Sequence, residues 1–591
     1  MERVADYVIR KVNEYGVNDI FMVNGRGILY LTDAVAKNEK IKHISTYHEQ
    51  SASYAAMAYA KATDSLAACL VSTGCAATNS ITAALCAYQD NLPVVFISGN
   101  NHLKENTRNT GLNIRTYGSQ EADIISIVKP ITKYAVMLDD INDVVYEVEK
   151  AIEMSLEGRR GPVWIDIPLD VQNMRLDEIC QKHFIKNEVS YSIDEDIKQV
   201  AEEINRAKRP CILVGGGARK SEEYIGDLSK KYRIPVVCSP AGVNNYGTYN
   251  EYNMGCVGSI GGTRSGNFVV QNCDFLLVLG SKLCSQLTGE KKNFARKAKI
   301  VAINIDKEEH KKDNLINLVV ISTVEHFLKS LLKENLSIHE SKWINKCLHW
   351  KEVFSVEKEA FVEEAKKANQ NELYGMLYEF NKYLPDEASV ITDAGLEELT
   401  VPSVIKFKNG QKCLFPAAQG AMGYALPAII GAYAAGQKNI ICIVGDGSVM
   451  MNIQELQIIS AMKIPAKIFV INNNMYAIIR KRQRDLFRKR TIGNDPTDGL
   501  PMPNFMKIAE SYDIKYRCIH NYDELKNEIS TCFDNKLEII EIYCAEDQKY
   551  LHESYAINEK KRLVHRPIED MAPFLSRELI KSEMIVDLME E

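Results

Sequence analysis

Apolar residues along this chain fall into two rhythms. Short unbroken apolar runs alternate with longer stretches in which apolar positions recur every three or four residues. The first rhythm predicts buried strands, the second amphipathic helices. The pattern is clearest between Ile440 and Met475. Ile440-Ile441-Cys442-Ile443-Val444 reads as a buried strand, and Gly445-Asp446-Gly447-Ser448 as a sharp turn. Asn452 to Lys463 (NIQELQIISAMK) has helical spacing, and Lys467 to Ile471 reads as a second strand ending in Asn472-Asn473-Asn474. Strand, helix, strand is a βαβ unit. Its two strands should run parallel and end at one edge of a sheet, where open α/β sheets bind ligands.

The same alternation fills three blocks, so the predicted fold class is α/β, with three doubly wound parallel-sheet domains at residues 1–175, 190–335 and 365–550. In the first block, strands are expected at 19–23, 66–71 and 93–99, with small-residue helices between them. In the second they are expected at 211–214, 235–238, 274–279 and 300–306. Residues 335 to 368 are charged and helical and read as a linker plus the first helix of the third block. Residues 551–591 form a tail, read either as a cover over an active site or as a subunit contact.

Length and composition fit this picture. A chain of 591 residues, 46% apolar and 25% charged, can bury several cores. A net charge of −6 gives no reason to expect nucleic acid or an acidic membrane as partner. No apolar run reaches the roughly 18 residues of a spanning helix. The opening MERVADYVIRKVNEYG reads as an amphipathic helix rather than a targeting peptide. Fifteen scattered cysteines without a C-x-x-C pair read as reduced core residues of a cytoplasmic protein.

Asp446 and Asn473 lie just past the two strand ends of the βαβ unit, 27 residues apart. Two oxygen side chains there suit a hard cation such as Mg²⁺, and Gly445 and Gly447 let backbone N–H groups approach a phosphate. GDG, a spacer and NN together resemble the diphosphate- and Mg²⁺-binding motif of thiamine diphosphate enzymes. The resemblance widens in HEQSASYAAMAYAKATD, STGCAATNSITAALCAYQDNLPVVFISG, GSQEADIISIVKPITKYA and PAAQGAMGYALPAIIGAYAAG, which are similar to the acetolactate synthase family. It covers most of residues 1–550 and implies a pyrimidine-binding, a central and a diphosphate-binding domain in that order.

The resemblance also implies roles. Glu49 would hydrogen-bond the cofactor's pyrimidine ring and so promote ylide formation; Gln120 would lie near the reacting carbonyl, although Ser119 replaces the family's usual Phe before it. Thr73, Asn79, Gly395, Ser448 and the turn glycines Gly445 and Gly447 would contact the cofactor, and Met422 would prop it in its bent shape. Asp446, Asn473 and the Met475 carbonyl would hold Mg²⁺. The implied assembly is a homodimer or homotetramer, because sites of this family lie between subunits. The implied reaction is decarboxylation of a 2-oxo acid, pyruvate by default, and carbon–carbon bond formation with a second carbonyl. Alternatives are a simple decarboxylase and, last, a non-catalytic cofactor-binding relative.

Several positions depart from the family pattern. Leu396-Glu397 stands where Gln-His is usual. Arg482 stands at the position of an acceptor-pocket Trp, and Arg26 where small residues are usual. Two arginines suit an acceptor carrying extra negative charge, such as a sugar phosphate or sugar nucleotide; a solvated basic helix face explains RKRQRDLFRKR equally well. The family's central domain holds a non-redox FAD. The lost arginines in Gly280–Gln286 argue against bound FAD here, while Arg264 in GGTRSGN leaves a phosphate or nucleotide contact open.

Overall fold

The computed structural model describes residues 1–178, 182–186, 191–545, 551–557 and 562–589; Cys180 and the rest of the tail fall outside them. Three six-stranded sheets form, each parallel throughout. The first runs Lys42–Ser45, Asp19–Met22, Ala67–Val71, Val94–Asn100, Val163–Pro168, Tyr134–Met137 across its width. The second is centred on Pro210–Val214 and Phe275–Leu279, and the third on Ile440–Gly445 and Ala466–Asn472. Helices cover both faces, so the inner strands are buried on both sides. Ala67–Val71 and Pro210–Val214 are apolar without a break, and Ala466–Asn472 is apolar except for Lys467, which is buried against Glu538, and its last residue Asn472. The predicted βαβ unit is present, with Ile440 in register with Ala466 and Gly445 with Ile471.

The helix inside that unit is shorter than its pattern predicts. Residues 450–455 form a 3₁₀ turn with a kink at Asn452 (φ −136°, ψ 39°), and the α-helix spans only Leu456–Ala461. The cause is tertiary. Asn452 Nδ2 donates to Gln50 Oε1 (3.1 Å) and Gly423 O (2.8 Å), and its Oδ1 accepts from Ser51 Oγ (3.0 Å). These bonds tie the first and third sheets together and override local helical preference.

The small-residue helix Glu49–Thr63 packs against the helix Ala425–Ala434 of the third sheet. The approach is so close that a Cβ on Gly431 would lie 2.0 Å from the Ala55 carbonyl. The alanines here are thus the means of joining two domains at van der Waals distance.

Residues 341–353 are not a linker. Ser341–Val353 is a helix whose Trp343, Ile344, Cys347 and Trp350 are buried in the core of the second sheet, with Trp350 against Phe268. The charged residues that suggest a linker occupy its outer face. The described tail also lies on the second domain. Ser554 N donates to Ser259 O (2.7 Å), and Gly261 N to His552 O (2.7 Å).

Candidate functional site

The C-terminal edge of the first sheet gathers one set of the sequence-predicted residues. Glu49 opens its helix directly after the strand Lys42–Ser45, and the His48 ring caps that helix by accepting from Gln50 N. Asn79 Nδ2 donates to Glu49 Oε2 (2.9 Å), which fixes the carboxylate's direction. Thr73 and Gly74 follow the next strand. Gly27 packs so tightly on Thr73 that a Cβ there would lie 1.9 Å from its hydroxyl, and this holds the exposed Arg26 at the same edge. Gln120 takes a left-handed φ of 58°, and its carbonyl covers Gly74.

The C-terminal edge of the third sheet gathers the rest. Asp446 is buried; its Oδ1 accepts from Gly447 N (2.7 Å) and its Oδ2 from Asn474 N (2.7 Å). Asn473 Oδ1 accepts from Met475 N (3.3 Å), which turns the amide oxygen across the same edge. Gly447 is required: a Cβ there would lie 2.0 Å from the ring of Tyr476. Gly395 has φ +79° at the mouth of the neighbouring strand, and Met422 is half-buried on the loop before Ala425–Ala434.

Sequence reasoning missed Asp393. It is fully buried, and its Oδ2 accepts from Ser448 Oγ (2.6 Å), Gly423 N (3.1 Å) and Ala425 N (3.2 Å). One carboxylate thereby joins the GDGS turn to the Met422 loop. An acid two residues past a buried strand and two before a glycine is a signal that could have been read. Glu397 is also buried, with its carboxyl over Gly395 and Gly445. Burial raises Glu397 to about 8 and Glu398 to about 8, with nearby carboxylates adding to both. Burial likewise raises Asp393 and Asp446 to about 6, against the pull of the backbone N–H groups they accept. Among the described residues no Lys or Arg pairs with any of these four acids.

The residues fit a diphosphate and a hard cation. Asp446 and Asn473 offer two oxygens from adjacent strand ends, and the buried acids lack a positive partner that a cation would supply. Within one chain, among the described residues, no hydrogen bond joins the Glu49–Asn79 set to the Asp446–Asn473 set.

Two predicted arginines are committed elsewhere. Arg264 is 2% exposed and donates to Glu359 Oε1 (2.6 Å), Met571 O (3.1 Å) and Pro573 O (2.5 Å). It therefore anchors the tail and has no face left for a phosphate. Arg482 Nη2 pairs with Glu553 Oε2 (2.9 Å), and its guanidinium lies over the Tyr555 ring at 4.9 Å.

Comparison with known proteins agrees with this geometry. The thiamine pyrophosphate enzyme N-terminal TPP binding domain matches residues 2–127, the central domain 197–331, and the C-terminal TPP binding domain 393–542. The acetolactate synthase large subunit of Cyanidium caldarium is 31% identical over 538 residues, covering 87% of this chain and 88% of its own. That of Lactococcus lactis is 29% identical and covers 93% of each chain. The isozyme 1 large subunit of Escherichia coli is 27% identical over 88% of this chain and 89% of its own. The three-domain order defines a thiamine diphosphate-dependent enzyme. Within that class, the chain belongs to the acetolactate synthase large-subunit family.

Proposed function

We propose that the enzyme decarboxylates a 2-oxo acid, pyruvate first among them, and joins the remaining two-carbon unit to a second carbonyl compound, with Mg²⁺ as the metal. The observation that carries this reading is the pair of strand-end oxygens, Asp446 and Asn473, beside a glycine turn in a chain that also keeps an oriented Glu49.

Asp446, Asn473 and the Met475 carbonyl would hold Mg²⁺. Gly395, Gly445, Gly447 and Ser448 would face the diphosphate, with Thr73 and Asn79 on the opposite wall. When bound, thiamine diphosphate supplies the carbon nucleophile that attacks the 2-oxo acid and accepts the electrons released with CO₂. Glu49 holds a proton at the cofactor's pyrimidine nitrogen, and Asn79 keeps its carboxylate aimed. Gln120 donates to the oxygen that gains charge as the substrate carbonyl is attacked. Met422 shapes the apolar support beneath the cofactor and helps exclude water.

The assembly that goes with this reading is a homodimer or larger homo-oligomer in which one subunit's Glu49 would serve its partner's metal site, as the family resemblance implies. All fourteen described cysteines are free, which supports a reducing, cytoplasmic setting. No described helix is long and apolar enough to cross a membrane.

The test is product analysis of protein loaded with thiamine diphosphate and Mg²⁺, with pyruvate as sole substrate. CO₂ release with acetolactate formation is expected, and Glu49→Gln should lower the rate roughly 10²-fold or more. Acetaldehyde as sole product would make the enzyme a simple decarboxylase. No CO₂ from pyruvate or larger 2-oxo acids would overturn the proposal.

A further inference from the structure

An open hollow lies on the side of the third sheet away from the cofactor cleft. Residues 381–388 and 405–411 lead into the strands Ser389–Ile391 and Lys412–Leu414, so they stand at the N-terminal edge of that sheet, opposite Asp446 and Asn473. The loop 247–250 of the second domain meets them there. Tyr249 N donates to Phe407 O (2.9 Å), Phe407 N donates to Thr248 Oγ1 (3.0 Å), and a Cβ on Gly247 would lie 2.3 Å from the Phe407 carbonyl. The free space between these segments is about 210 Å³, where one water molecule needs roughly 10–15 Å³.

The lining is positive. Phe407 is buried between Lys406 and Lys408, which both line the hollow. The backbone of each is braced by a side-chain amide: Lys406 N donates to Asn381 Oδ1 (2.7 Å) and Lys408 N to Gln411 Oε1 (2.8 Å). Lys406 Nζ lies 5.1 Å from the centre of the Tyr378 ring, and Lys408 Nζ 5.6 Å from that of Tyr249. Lys382 is the third cation of the lining, and no carboxylate belongs to it. Glu379 and Asp386 pair with Lys382 (2.6 Å) and Lys408 (2.9 Å), but Asp386 is fully in solvent, where such a pair is weak. Lys406 has no carboxylate partner among the described residues. Its charge also reaches Lys351, which donates to Asn250 O (3.1 Å) and Glu251 O (3.0 Å). Burial first, and then Lys406, lower Lys351 to about 8. An anion in the hollow would relieve both lysines.

We infer that this hollow binds a small phosphate monoester, with the phosphate on Lys406 and Lys408 and the organic part against the rings of Tyr249 and Tyr378. Ammonium groups serve a dianionic phosphate as point charges, and a tyrosine ring gives a sugar or a base a face to pack on. The site is separate from the diphosphate site. The helix Gly395–Val404 begins at the cofactor edge and ends here, so an occupant leaves thiamine diphosphate in place. The inference goes beyond the carboligase reading and does not rest on it.

The test is calorimetric titration of ribose 5-phosphate, adenosine 5′-monophosphate and inorganic phosphate, with and without saturating thiamine diphosphate and Mg²⁺. One equivalent of ester per chain should bind, at least tenfold more tightly than inorganic phosphate and equally well in both conditions. Which ester binds more tightly tells a sugar phosphate from a nucleotide, and either upholds the site. The double variant Lys406→Gln with Lys408→Gln changes only side chains at the surface and should weaken the ester at least tenfold. Tyr249→Ala should weaken the ester and leave inorganic phosphate within about twofold. Lys312→Gln, exposed on the second domain, should leave both unchanged. No saturable binding of either ester, displacement of the ester by thiamine diphosphate, an affinity unchanged in the double variant, or an equal loss in Lys312→Gln overturns the inference. Because the titration is also run without cofactor, failure of the carboligase reading leaves its outcome intact.

Discussion

Asn79 reaches across from the third strand's helix to hold the Glu49 carboxylate at 2.9 Å. The bond joins two segments that follow different strands of the first sheet, and it fixes the direction of the carboxyl group that the proposed function sets against the cofactor's pyrimidine ring. Asn79 is exposed and makes little other contact, so its value lies in orientation rather than stability. A hydrogen bond to a charged group is worth about 1.5–3 kcal/mol. Asn79→Ala should therefore lower kcat by about 10- to 100-fold, with the melting temperature nearly unchanged. Steady-state kinetics beside a thermal scan separates the two effects.

Gly447 faces the Tyr476 ring so closely that any side chain would displace the turn between Asp446 and Ser448. Gly447→Ala should weaken binding of thiamine diphosphate with Mg²⁺ at least tenfold by calorimetry. The circular dichroism of the folded protein should remain, because the strand Ile440–Gly445 ends before the affected residue. Unchanged affinity would remove this turn from the diphosphate site.

Much of this was legible from the sequence, for physical reasons. A strand buried on both faces is apolar over most of its length, so Ile440–Gly445 and Ala466–Asn472, the latter through its run Ile468–Ile471, announce themselves, and the positions just past them mark the site edge. What local pattern could not carry is set by distant partners. Asn452 breaks its helix because Gln50 and Gly423 claim its amide. Ser341–Val353 looks like a charged linker until Trp343 and Trp350 meet the second domain's core. Arg264 and Arg482 read as anion sites because arginine suits anions; the carboxylates of Glu359 and Glu553 that occupy them lie 95 and 71 residues away in sequence.

Glu397 gives the cofactor-free protein a pH dependence of known sign. Burial first, then the charges of Asp446 and Asp393, raises its carboxyl from the ordinary 4.5 to about 8. Between those values the folded chain holds a proton that the unfolded chain has lost, so unfolding releases it and stability falls as pH rises. Glu398 behaves in the same way. Asp393 and Asp446 complete their change near pH 6, and the depressed lysines Lys133 and Lys351 act only above about 8. The melting temperature of the cofactor-free protein should therefore decline between about pH 6.5 and 8, and Glu397→Gln should flatten part of that slope. An unchanged slope in the variant would show that Glu397 titrates elsewhere.

Arg264 is committed to the contact between the second domain and the tail. Its guanidinium is spent on Glu359, Met571 O and Pro573 O inside a contact that seals the tail against the helix Arg264–Asn272. Removing one partner of a buried ion pair strands the other, at a cost of about 3–5 kcal/mol. Arg264→Leu should lower stability by that order in denaturant titration. Arg264→Leu combined with Glu359→Leu should recover much of the loss, because no charge is then left buried without a partner. With this arginine unavailable and no arginine in the stretch Gly280–Gln286, the wild-type protein should purify without the yellow absorbance of a flavin. Stoichiometric flavin released on denaturation would show that the second domain holds FAD through other groups, and that Arg264 was never needed for it.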